Sequence, residues 1–67
     1  MADDRDIWHA AAALLRQFGG DAPTYAGRRA IELFGRGDEA GAEVWRRILK
    51  ALEELMRTER KDDEPVN

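Results

Sequence analysis

The sequence predicts an all-α fold: one compact domain of three helices with short loops, the third helix longest. Three observations carry that expectation. Apolar residues recur at helical spacing in three segments, separated by Gly19-Gly20-Asp21 and Gly35-Arg36-Gly37-Asp38. No stretch alternates apolar and polar residues with β-branched enrichment, so nothing reads as a strand. The composition, 43% hydrophobic and 37% charged, suits a folded helical chain rather than a disordered one.

The first helix starts near Asp3 or Asp4, whose short carboxylates can cap the free N–H groups of a first turn. With Asp3 as the cap, Asp6 is the third helical residue and its charge suits the positive helix end. Ile7, Trp8, Ala11, Leu14, Leu15 and Phe18 then form a stripe about 120° wide. Gly19-Gly20 ends the helix, because glycine takes the left-handed conformation at no steric cost.

The second helix follows Asp21, with Pro23 in its first turn, where a missing N–H costs nothing. Ala22, Ala26, Ala30 and Leu33 make its inner face, flanked by Tyr25 and Phe34. Ile31 lies off that stripe, beyond Gly27. It is either an ordinary exposed apolar residue or part of a second contact surface.

The third helix starts at Asp38 and runs to about Arg60. Val44, Trp45, Ile48, Leu49, Leu52, Leu55 and Met56 cover an arc of about 140°, broader than a two-helix seam needs. Such a face serves both preceding helices, or one helix and a partner chain. On the other side Glu43 and Arg47, Lys50 and Glu54, and Glu53 and Arg57 stand at i,i+4, each pair worth about 0.2–0.5 kcal/mol. Residues 1–60 are thus expected to form the domain, and residues 61–67 a polar, fraying tail.

At 67 residues the chain lies near the small end of independently folding domains, which bury only about 60% of their unfolded surface. It has no cysteine and one histidine, His9. That composition offers no disulfide, no thiolate zinc site and no cysteine nucleophile. A serine triad is also excluded, because the chain lacks serine. His9 projects opposite the apolar stripe and reads as a solvated side chain. Glu53-Glu54 and Asp62-Asp63 are sequence neighbours on solvated faces and do not flank a pocket. The sequence therefore predicts no enzyme, no catalytic, cofactor-binding or metal residue, and no small-molecule ligand.

A net charge of −3 argues against a primary nucleic-acid binder, which presents a basic surface. The third helix does gather Arg46, Lys50, Arg57 and Lys61 within about 60°. Glu43, Glu53 and Glu54 dilute that strip into a salt-bridge-laced solvent face. Trp8 and Trp45 lie on or beside inner stripes and are expected in the core, where tryptophans bring much of the buried area. Arg29, at the margin of the inner face, could bridge helices to a carboxylate.

Arg36-Gly37-Asp38 spells an adhesion tripeptide, yet each residue has a local task. Gly35 or Gly37 ends the second helix, Arg36 complements its carbonyl-rich end, and Asp38 caps the third helix. The longest apolar run, Ala10–Leu15, is six residues, and the aspartates before it do not suit a signal peptide. A cytoplasmic setting without membrane association is the expectation.

The stretch from Ala30 to Leu52 is similar in outline to a tetratricopeptide hairpin, but the ~34-residue period of such arrays is absent. Asp6-Ile7-Trp8 before an alanine-rich helix, Ala26-x-Arg28-Arg29-Ala30, Gly37-Asp38-x-x-Gly41 and Trp45-x-x-Ile48 resemble a group of short, uncharacterised bacterial proteins, a domain of unknown function. The resemblance implies a compact cytoplasmic bacterial helical domain and brings no activity or functional residue. The function expected is that of a small non-enzymatic protein-interaction module, plausibly self-associating; an accessory nucleic-acid-binding regulator is the alternative.

Overall fold

A computed structural model describes the backbone of residues 3–63 and the side chains of residues 3–57. The described residues are almost entirely helical, with no strand among them. The segments are α1 (Asp4–Phe18), α2 (Ala22–Gly35) and α3 (Glu39–Asp63). The expected loop at residues 19–21 is itself a turn of 3-10 helix, Gly19–Asp21. The chain therefore runs as two continuous helical stretches rather than as three helices separated by loops. α1 and α2 are the limbs of the first stretch.

The break between the limbs lies at Gly19, with φ 59° and ψ −132°. Its φ is positive, as a glycine terminator requires, but its ψ lies outside the left-handed helical well. This is the geometry of the first central residue of a II′ turn, which favours glycine. It redirects the chain without ending the helical hydrogen bonding: Gly19 N–H still donates to the Leu15 carbonyl, and Ala22 N–H donates to that of Gly19.

At the other end of α1, Asp3 is extended and its carboxylate accepts from Asp6 N–H at 3.1 Å. The cap thus falls at the first of the two expected aspartates. Pro23 stands in the first turn of α2. Asp21 precedes it without a side-chain capping bond.

Residues 36–38 form the one non-helical link between described elements. Asp38 N–H donates to Leu33 O at 2.9 Å and Gly37 N–H donates to Phe34 O at 3.0 Å, the paired bonds of a Schellman motif. Gly37, not Gly35, takes the positive φ, at 86°. Asp38 also begins the next helix: its Oδ1 accepts from Gly41 N–H at 2.9 Å. One residue closes α2 and caps α3, so the reversal needs only three residues. Arg36 pairs with Glu32 at 3.2 Å, one turn back on α2. The tripeptide is a helix hinge.

At about 1.5 Å rise per residue, α3 is nearly as long as α1 and α2 together. It packs against both, more extensively against α2, while α1 and α2 touch each other little. The wide apolar arc of α3 is accounted for in this way. Its Ile48 and Leu52 are buried, and Val44, Trp45, Leu49 and Leu55 pack partly buried around them.

The core is Ile7, Ala11, Ala22, Ala26, Ile48, Ala51 and Leu52. α1 contributes one side chain larger than alanine to it and α2 none. Alanine lets helix backbones approach closely, but each one buries little area. Trp8 corrects the expectation that both tryptophans are internal. It is 42% exposed, whereas Trp45 is half-buried against the core. Its angular position explains the difference, since Trp8 lies at the edge of the α1 stripe and α3 covers only the stripe's centre. α3 also continues to Asp63, so Lys61–Asp63 extend the helical backbone beyond the expected end near Arg60. The remaining tail residues, 64–67, lie outside the described residues.

Candidate functional site

α2 is built with its small side chains inward and its large ones outward. Ala22, Ala26 and Ala30 are buried, while Tyr25, Ile31 and Phe34 are exposed. The periodicity dictates this: the alanines recur every four residues, and Phe34 and Ile31 sit progressively further round one flank. Tyr25 is not solitary. It stacks on Phe18 with ring centroids 4.6 Å apart and meets Trp45 edge-on at 5.7 Å. These rings close the side of α2 that faces α1.

The opposite flank is open. There Gly27, Ala30, Ile31 and Phe34 of α2 and Ala42, Arg46 and Leu49 of α3 line a groove of about 360 Å³. Gly27, Ala30 and Ala42 make a floor of minimal side chains, and Phe34 and Ile31 stand above it. Ile31 is 75% exposed and Phe34 59%, the largest exposures among the bulky apolar residues described. The lining is apolar apart from Arg46, which reaches back to Glu43 at 3.4 Å. Ile31 is exposed, as both readings of it require, and it stands at one wall of this concavity. Periodicity places Phe34 only as a flank of the inner face; that it stands with Ile31 beside a small-residue floor depends on where α3 lies.

A second depression lies between α1 and the far side of α3, lined by Asp4, Ile7, Trp8, Arg47, Lys50, Ala51 and Glu54. It is charged where the first groove is apolar. It brings Trp8 next to basic side chains of α3, without a polar cluster aimed at a common point.

Two cations of the basic strip of α3, Arg46 and Arg57, are engaged within the helix, whereas Lys50 makes no ion pair among the described residues and the expected Lys50–Glu54 pair is not formed. Glu43 holds both Arg46 and Arg47, the latter at 3.5 Å, and Arg57 reaches Glu54 at 3.4 Å. The Glu43–Arg47 pair is the one its spacing predicts, while Arg57 chooses Glu54 over Glu53. Such exposed pairs contribute about 0–1 kcal/mol each but neutralise the surface locally. Lys61 lies outside the described side chains.

Arg29 bridges helices, but to a ring rather than a carboxylate. Its guanidinium lies 5.7 Å from the Trp45 ring centroid on α3, while Glu32 on its own helix accepts at 2.9 Å. Its Nε is buried without a hydrogen-bond partner.

His9 is exposed on α1. Among the described residues no group of three or more histidine, cysteine or acidic side chains is placed to hold a metal ion. Nor is any described helix long and apolar enough to cross a membrane.

No family model matches the chain, and no curated protein or solved structure is similar to it.

Proposed function

We propose that this chain is a small, non-enzymatic protein-interaction module that docks a partner helix in the groove between α2 and α3. The observation that carries this is Ile31 and Phe34 standing exposed beside a floor of glycine and alanine. A helix-in-groove contact uses this arrangement: large anchors at one wall and a small-residue floor where a second backbone approaches. α2 and α3 supply a rigid wall each, and the three-residue hinge fixes their spacing.

Counting the two limbs of the first stretch separately, the module is a compact three-helix domain. Its resemblance to short bacterial helical proteins supports a bacterial, cytoplasmic setting. The alternative of an accessory nucleic-acid regulator has less behind it. It needs free cations on α3, and Glu43 holds two of them.

The test is an amide chemical-shift map of the labelled protein titrated with the apolar probe anilinonaphthalene sulfonate. Shifts should concentrate at Gly27, Ile31, Phe34, Ala42 and Leu49, and Ile31→Lys should abolish them. Shifts centred on Trp8, or none at all, would count against this site.

A further inference from the structure

We propose that Gly19 and Pro23 form a two-state hinge on which α1 is exchanged between two copies of this chain. In the closed state α1 lies on its own α3. In the open state Gly19 turns to helical torsions, α1 and α2 join into one helix, and α1 packs on α3 of the second copy. This stands apart from the docking function above, because α1 lines no part of the groove between α2 and α3.

The backbone at the bend is close to that joined helix. Phe18, Asp21 and Ala22 already hold right-handed helical torsions. Gly19 N–H already donates to Leu15 O, four residues back, as in an α-helix. The departure is Gly19 itself, with φ 59° and ψ −132°. Nor does α2 have a side-chain cap to surrender, since Asp21 makes no capping bond.

What holds α1 in place is α3. Ile7 and Ala11 are buried with Ile48, Ala51 and Leu52, whereas α1 touches α2 little, with Phe18 stacked on Tyr25 beside the hinge. A freed α1 leaves apolar residues uncovered both on itself and on α3. A second opened copy covers both sets with the contacts that the closed chain already makes. That identity of contacts leaves little net cost to exchange, and it names the partner. Phe18 and Tyr25 then stand about 10 Å apart along one helix, and the stack reforms between copies.

Two residues hold the balance on the closed side. Gly19 takes without strain a torsion pair that an L side chain resists. Pro23 costs nothing in the first turn of α2. Inside the joined helix it would have no N–H to donate, and its ring would meet the Gly19 carbonyl.

Replacing Gly19 by L-alanine and, through chemical synthesis, by D-alanine isolates the torsion. A Cβ there meets nothing within 4 Å, so the two chains differ in the torsions they accept rather than in packing. D-alanine holds the bend, because its torsions there mirror the extended region open to L residues. L-alanine resists the bend and favours helix. By sedimentation equilibrium, Gly19→Ala should dimerise about a thousandfold more tightly than the wild type, about 30-fold for each of two hinges. The D-alanine chain should dimerise no more than the wild type. Pro23→Ala leaves the closed form unstrained and should also tighten the dimer, by about 100-fold per hinge. In a mixture of isotope-labelled and unlabelled chains of a dimeric variant, filtered NOEs should join Ile7 and Ala11 of one copy to Ile48 and Leu52 of the other. A Pro23→Ala chain that stays monomeric at high micromolar concentration overturns the proposal, even where Gly19→Ala fails to fold. Equal association of the L- and D-alanine chains overturns it, and so does a dimer whose α1–α3 NOEs stay within one chain. A dimer lost on Ile31→Lys would lie in the groove instead and would overturn it too.

Discussion

Asp38 and Gly41 form a coupled pair at the start of α3, and a double-mutant cycle exposes the coupling. Asp38 Oδ1 caps the helix by accepting from Gly41 N–H at 2.9 Å. Removing such a cap costs about 0.5–2 kcal/mol, so Asp38→Ala alone should destabilise by about 1 kcal/mol. Gly41→Ala in isolation should stabilise, because alanine is favoured over glycine in a helix by about 0.5–1 kcal/mol. The structure withholds that gain. A Cβ built on Gly41 comes within 2.9 Å of Asp38 Cγ, closer than nonbonded carbons approach. The carboxylate must turn aside and its capping bond weakens, so Gly41→Ala in the wild type should be close to neutral. With Asp38 already replaced by alanine, the obstruction is gone and Gly41→Ala should recover its full gain. The coupling is then about 1 kcal/mol, a mid-range value for residues in direct contact. Thermal unfolding followed by circular dichroism reads it. For a domain of this size 1 kcal/mol moves Tm by about 4–8 °C. All four proteins are compared at one concentration, because self-association would make Tm concentration-dependent. Additive effects, with Gly41→Ala stabilising both backgrounds equally, would refute the steric link between cap and glycine.

Gly37→Ala should cost about 1–2 kcal/mol in urea unfolding, since φ at this position is 86° and a side chain is strained there. A neutral result would mean that the Schellman turn relaxes to another geometry. Leu52, fully buried in the core, should cost about 2–5 kcal/mol when truncated to alanine, enough to leave so small a domain largely unfolded. The two tryptophans should separate. Trp45→Ala removes the edge contact with Tyr25 and the arginine stack and should cost more than about 2 kcal/mol. Trp8→Ala, at an exposed edge, should cost about 1 kcal/mol or less. Equal losses would restore Trp8 to the core.

Most of the local structure was legible in the residues because it depends on interactions a few positions apart. A cap at Asp3 or Asp4, the cap at Asp38, a glycine stop at residue 35 or 37, the proline in the first turn of α2 and the inner alanines all follow from helical geometry. That geometry has the same period in any helix. The exposed, off-stripe position of Ile31 was legible for the same reason. Periodicity ranks residues round a helix, but it does not say how wide an arc the neighbouring helix covers. Trp8 shows the consequence: the stripe included it, and packing against α3 left it at the edge. The break at residues 19–21 was legible as a glycine signal, but its outcome was not. Loop and 3-10 turn use the same glycine, and the choice depends on how α1 and α2 are drawn down onto α3.

By itself, the sequence determined the helical class, the N-terminal caps of α1 and α3, the hinge at Arg36-Gly37-Asp38 and the absence of cysteine chemistry. Each is a property of composition or of neighbours along the chain. Only the tertiary structure decided that the wide face of α3 is shared by α1 and α2, and that Arg29 meets a tryptophan ring. It also decided that Ile31 and Phe34 join Ala42 and Leu49 around one groove. Those facts depend on which helix lies beside which and at what register, set by the summed packing of side chains far apart in sequence.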